Sequence, residues 1–580
     1  MKNLFLNLRT IAWIALFAVV GTLLATGESE AQSLSPVPPP LSYLKGQYFK
    51  NNPVAWSQFL AQLPHRSAGA PQATAGSAAT ANFGGSWQAV ATNTGVTSGL
   101  SNPLLLTDGT VIFNDSGTQY WWKLTADATG NYSTGTWTQI ASLPVIGGVQ
   151  YAPLYFASAV LPDGRVIIMG GEYQNFVPTW TNLGAIYDPI ANTWAAVTAP
   201  AGWGYTNGDG VIGDSESVVL ADGTFMLPGC CNYPDQEELL DAASLTWSPT
   251  GAPNAGFFYQ DEQGYELLPN GNVLTLDIWT NTPEGGATNA EQYVPSSGDW
   301  ISAGNTPVSL VDPASCGNWE IGPAVMRPDG TLVAFGGNTG CKGVVAADPT
   351  AIYNTKNGTW SAGKVVPKVC GAGGKTACDL ADAPGAMMPN GNILFAASAG
   401  YGGAPTHFFE YTAKDVIEQV ADPLENASES GAYYYNFLVL PNGQILSTDF
   451  SNVAEVYTPV GSPTASWAPT IKTINGVAPR IVKHGDTYTL AGTQFNGLTQ
   501  GAYYGDDVQG ATNYPIVRLT NRSSGHVFFA RTVNPNTMSI APGTSSSVSF
   551  TVPENIEEGA ALLVVIANGV ASKSAIVDVE

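Results

Sequence analysis

Acidic and phenolic side chains recur at one place in a repeated pattern. Apolar runs alternate with tight turns ending in Asp-Gly or Asn-Gly. The residues six or seven places before the one that precedes each turn tripeptide are the chemically interesting ones. They are Tyr155 in the second copy, Asp214 in the third, Asp261 and Glu262 in the fourth, Glu320 in the fifth, Asp382 in the sixth, and Tyr433 and Tyr434 in the seventh. Successive strand residues face opposite ways, so one member of each adjacent pair shares the common direction. Four consecutive copies thus bring a carboxylate toward one place. Carboxylates crowded in a shielded funnel repel one another until a cation, a proton or donor groups settle them. Three uses follow. A hard cation such as Ca²⁺ takes oxygen ligands from several units. Two carboxyls with separated pKa values act as acid and base on a glycan, with Asp214, Glu320 and Asp382 as the catalytic set. A polyol binds through acceptor oxygens and aromatic faces. The purely structural use is that these acids hold backbone amides at strand starts.

The elements that position them are hairpins. In ASAVLPDGRVIIMGG (157–171) an apolar strand, a Pro-Asp-Gly turn and a second apolar strand follow one another. Glycine accepts the positive φ that such turns demand. The turn glycines are Gly109, Gly164, Gly223, Gly271, Gly330, Gly391 and Gly443, spaced 55, 59, 48, 59, 61 and 52 residues apart. Seven copies at this period predict an all-β fold, a seven-bladed kelch-type β-propeller. Late in each unit an aromatic opens a short strand: Trp137, Trp194, Trp247, Trp300 and Trp360, with Val416 in the sixth. A tyrosine marks the third strand at Tyr187, Tyr293, Tyr353 and Tyr457. The segment SWQAVA (86–91) precedes the first hairpin and is expected to close the ring as the outer strand of the last blade, with Trp467 as the rival for that place.

The propeller is expected over 84–462. Before it, 1–31 reads as a secretory signal, with Lys2 and Arg9, an apolar run over 10–26 and a Ser29-Glu30-Ala31 cleavage site. Residues 32–83 are a Pro-, Ala- and Gly-rich extension. After it, 463–580 holds about seven short strands that predict an immunoglobulin-like sandwich. The formal net charge of −24 excludes nucleic acid as a partner, because phosphates need a basic surface. A secreted or periplasmic, monomeric protein without a membrane span is expected once the signal is removed. The six cysteines then predict disulfides, and Cys370 and Cys378 enclose a short Gly-rich loop that a bridge would staple.

A seven-unit propeller followed by an immunoglobulin-like domain resembles the secreted galactose oxidase and glyoxal oxidase family. The stretch NYPIVRLTNRSSGHVFFART (513–532) is similar to that family's terminal domain. The resemblance implies a mononuclear copper held by two tyrosines and two histidines, with a tyrosine–cysteine cross-link that stores an oxidising equivalent. By position, the family's cysteine matches Tyr155, its cross-linked tyrosine Asp214, its Tyr-His pair Tyr433-Tyr434, and its terminal-domain histidine His526. Tyr433 and His526 are then the residues left to hold a metal. The reading is a secreted propeller that binds a carbohydrate or cell-surface ligand at an acidic axial mouth. The ligand set is Tyr155, Asp261, Glu262, Tyr433, Tyr434 and His526. Two alternatives stay open: an oxidase of primary alcohols or aldehydes with an atypical copper site, and a carboxylate-dependent polysaccharide hydrolase or lyase.

Overall fold

The computed structural model describes residues 83–580 apart from 180, 204–211, 214–215, 230–236, 253–262, 278–287, 312–319, 338–347, 371–375, 401–402, 476–479 and 506–507. The chain is all-β, and no α-helix occurs among these residues. Seven antiparallel sheets follow one another and form a seven-bladed propeller. Their innermost strands are Leu100–Leu105, Ala157–Val160, Val218–Val219, Tyr265–Leu267, Ile321–Met326, Gly385–Met387 and Asn436–Val439. All seven predicted turn glycines take positive φ, between 77° and 96°.

The ring closes with the N-terminal strand. Ser86–Ala89 pairs antiparallel with Glu455–Thr458, placing Trp87 opposite Tyr457. Trp467 instead lies in a short 3-10 turn after the last blade. The aromatic markers have a common use. Tyr187 and Trp194, Tyr293 and Trp300, Tyr353 and Trp360, and Tyr457 and Trp87 are direct cross-strand partners. Their rings lie 4.8–5.4 Å apart. Five of the indoles then reach back to the preceding blade. Trp137, Trp194, Trp247 and Trp360 donate to the carbonyls of Ala91, Ala141, Thr198 and Ala303, and Trp87 to that of Ala421, at 2.6–3.0 Å. In blade six the partner of Tyr411 is Ile417, so the outer strand begins one residue after Val416.

Beyond the ring, Thr470–Val579 forms a nine-stranded sheet. It surrounds its own apolar core of Leu490, Val517, Leu519, Val548, Phe550 and Leu563, among others. This unit docks on the turn face of the propeller. Thr532 N donates to the Thr107 carbonyl, Asn534 N to Pro162 and Met538 N to Ala221, at the turns of blades one, two and three. Tyr514, Ile516, Met538 and Ile566 share one buried cluster with Leu438 and Leu440 of blade seven. Cys370 and Cys378 form the predicted disulfide. The signal, the N-terminal extension and the other four cysteines lie outside the described residues. No described helix is long and apolar enough to cross a membrane.

Candidate functional site

The C-terminal unit sends one hairpin up the axis. Gly501–Tyr503 adds to the inner strand Gly385–Met387 of blade six and pairs with Gly510–Ala511. Side chains of this hairpin satisfy backbone groups that the inner strands leave open toward the channel. Gln500 Oε1 accepts from Leu267 N at 2.7 Å, and Gln509 Nε2 donates to the Ser217 carbonyl at 2.5 Å. Burying unpaired backbone groups is costly, so the hairpin both fills and satisfies the channel. Small residues let it pass. A Cβ on Gly510 would lie 2.6 Å from the Phe437 carbonyl, and one on Gly505 would lie 2.8 Å from both Asp382 Cα and the Ile321 carbonyl.

Tyr504, near the hairpin tip, donates its hydroxyl to the Tyr433 carbonyl at 2.7 Å. Around it stand the inner-strand starts of blades two, six and seven. Tyr433 and Tyr434 lie in a single 3-10 turn, Ala432–Tyr434, with ring centroids 4.1 Å apart. Phe450 bridges Tyr434 and Tyr155, at 5.8 and 6.0 Å, and Tyr173 lies 6.1 Å from Tyr155. Tyr155 and Asp382 both take left-handed backbone, with φ of 50° and 52°. Non-glycine residues held there cost roughly 1–3 kcal/mol and gather at functional sites. The two residues share this conformation at corresponding positions of blades two and six.

Burial sets the electrostatics. It pushes the hydroxyls of Tyr155 and Tyr433 well above the ordinary phenol range, and neighbouring phenols add to the effect. Asp382 is close enough to Tyr433 to raise it further. Tyr434 is raised by burial, while the Tyr433 hydroxyl bonded to it pulls the other way. These phenols are neutral donors and acceptors at physiological pH.

The other predicted site residues separate into three groups. Glu320 and Asp382 are buried at this end of the axis: Asp382 N donates to the Ile321 carbonyl at 3.1 Å, which sets the two strand starts side by side. Asp214, Asp261 and Glu262 lie outside the described residues. His526 stands apart. Its Nδ1 is 2.6 Å from Glu557 Oε1, both side chains are about two-fifths exposed, and the next residue bonds Ala128 on the turn face. The structure therefore brings Tyr155, Tyr433, Tyr434, Glu320 and Asp382 together and leaves His526 at the opposite end. The other described histidines are also engaged elsewhere, His407 with Asp422 and His484 with the Glu554 carbonyl.

Two acids outside the predicted set complete the pattern. Glu216 accepts from Tyr265 N at 3.3 Å. Its carboxylate, that of Glu266 and the Gly505 carbonyl all lie within 3.4 Å of where a Cβ on Gly264 would be. Burial pushes Glu266 well above the usual carboxylate range. Blades three to six thus each supply a buried carboxyl: Glu216, Glu266, Glu320 and Asp382. Glu172, buried beside Tyr155, adds one from blade two. Among the described residues no group of three His, Cys, Asp or Glu side chains is arranged to hold a metal ion.

Neither a family model nor a curated protein matches the chain. Solved structures share the propeller at low identity. The structure of YjhT is 13% identical over 57% of this chain and 99% of its own, with a TM-score of 0.35. YCF48 bound to D1 peptide is 11% identical over 67% and 100%, at 0.40. An ulvan lyase from a new polysaccharide lyase family is 11% identical over 63% and 94%, at 0.35. Likeness at this level carries no argument about chemistry.

Proposed function

We propose that the chain is a secreted, galactose-oxidase-like protein whose axial mouth binds a carbohydrate. The carrying observation is that Tyr155, Tyr433, Tyr434 and Tyr504 meet buried carboxyls at one end of the axis. Phenol faces stack on sugar rings, and hydroxyl and carboxyl oxygens pair with sugar hydroxyls. The C-terminal sheet is read as the immunoglobulin-like domain of that family, acting as a plug that carries Tyr504. The residues do not fit the family's copper site: Tyr155 and Tyr434 stand where the sulfur and an imidazole would be needed, and His526 is at the other end. A glycan array probed with the mature chain and with Tyr434→Ala tests the reading. Specific binding that the substitution abolishes supports it; no binding, or binding indifferent to Tyr434, overturns it.

A further inference from the structure

We propose that Thr275 and Gln263, both in blade four, join their side chains as an ester with release of ammonia. The folded chain makes this link by itself, and it is independent of any ligand at the axial mouth. Three observations carry it.

The first is contact. Tyr265 and Thr275 are cross-strand partners in the first two strands of blade four. Continuing that register by two residues sets Gln263 opposite Asp277, with all four side chains on one face. There the Thr275 hydroxyl donates to Gln263 Oε1 at 3.0 Å, and the Tyr265 hydroxyl lies 3.3 Å from the same oxygen. The carbon to be attacked is one carbonyl bond, about 1.2 Å, beyond that oxygen. The second is what stays unpaired. Gln263 Nε2 and both Asp277 carboxyl oxygens are buried with no hydrogen-bond partner among the described residues. A buried amide nitrogen in that state is costly, and its departure as ammonia removes the cost. The third is dryness. Gln263, Tyr265, Thr275 and Asp277 are each at most 1% exposed. Water, which would hydrolyse an ester, is kept out.

Each residue has a task in the step. Thr275 Oγ1 attacks the Gln263 side-chain carbon, and the Tyr265 hydroxyl bonds the carbonyl oxygen as charge develops on it. The Oγ1–Cδ bond forms and the Cδ–Nε2 bond breaks. Burial, with Glu291 and Glu237 nearby, pushes Asp277 well above the usual carboxylate range, so it holds a proton to give. That proton goes to Nε2, which leaves as ammonia, and the threonine proton replaces it on Asp277. The product ties the first strand of blade four to the second, beside Leu267, whose amide donates to Gln500 of the axial hairpin.

Peptide mapping by mass spectrometry decides the matter. Cleaving the denatured chain after Glu262, Glu266 and Glu284 separates 263–266 from 267–284. In the wild type these two should appear as one joined species, lighter than their sum by one ammonia, and dilute alkali should split it as it splits esters. Thr275→Ser should keep the joined species and Thr275→Val should lose it. Asp277→Asn should cut its yield about tenfold or more. Two separate peptides from the wild type would overturn the inference. So would a joined species that resists alkali or persists in Thr275→Val. An unchanged yield in Asp277→Asn would overturn the proton transfer through that carboxyl.

Discussion

The Tyr504 hydroxyl donates to the Tyr433 carbonyl at 2.7 Å, joining the C-terminal unit to the seventh blade at the far end of the channel. One side chain thereby ties the axial hairpin to the turn that presents Tyr433 and Tyr434. Tyr504→Phe keeps the ring and removes this hydrogen bond to the Tyr433 turn. A loss of about 1 kcal/mol is expected in chemical denaturation. Ligand affinity at the mouth should fall with it, because the Tyr433 turn loses its anchor. Unchanged stability and affinity would show that the tie is incidental.

Gly505 is needed for close approach. Its backbone φ is ordinary, yet an added methyl would press on the Asp382 backbone. Gly505→Ala should destabilise by about 1–3 kcal/mol and weaken binding at the mouth. Gly525→Ala is the control. That glycine has φ +78 and open space around it, so the cost is local strain of about 1–2 kcal/mol and binding should be unaffected. Equal effects of the two on binding would contradict the placement of the hairpin tip.

The indole staples predict a hierarchy. Trp194→Phe removes one interblade hydrogen bond, costing about 1 kcal/mol. Trp87→Ala removes the equivalent bond to Ala421, the ring contacts with Tyr457 and Phe408, and the packing that closes the ring. Its cost should be about 3–5 kcal/mol, with accelerated proteolysis near the chain start. Trp87→Ala no worse than Trp194→Phe would count against closure by this strand.

Stability should decline as pH rises. Burial pushes Glu455 up to about 8 and drives Asp277 and Asp348 upward as well. A carboxyl raised in the folded state favours folding fully below its unfolded pKa, and that contribution is lost as pH climbs through the folded value. For Glu455 the window runs from about 4.3 to about 8, over a range worth a few kcal/mol. Asp127, held low by the Thr134 and Thr129 hydroxyls, acts oppositely, but only below the ordinary aspartate range. Thermal melting between these limits should show a falling midpoint, and Glu455→Gln should flatten the slope. A midpoint that rises across the window would contradict this.

Much of the architecture was legible because it is local. Each turn glycine, and each Tyr–Trp pair across neighbouring strands, lies within one short stretch of chain. Glu320 and Asp382 were legible for the same reason, standing at a fixed offset from a turn. Glu216 and Glu266 sit closer to their turns than that offset, and only the approach of Gly505 shows that they reach the axis. Tyr504 lay in YYGDDVQG, which reads as an ordinary loop of the terminal domain; its position depends on a hairpin threading the ring, which no local signal encodes. His526 shows the converse. The motif SSGHVFF aligns with a family ligand, yet the histidine satisfies Glu557 on the turn face, and the axial place goes to the hairpin bearing Tyr504.

The most direct test of the account is a crystal structure of the mature chain with a bound oligosaccharide selected on the array. Sugar density is expected on the axis, in contact with Tyr155, Tyr434 and Asp382. Sugar bound on the outer strands or on the C-terminal unit, with the axial tyrosines untouched, would contradict it.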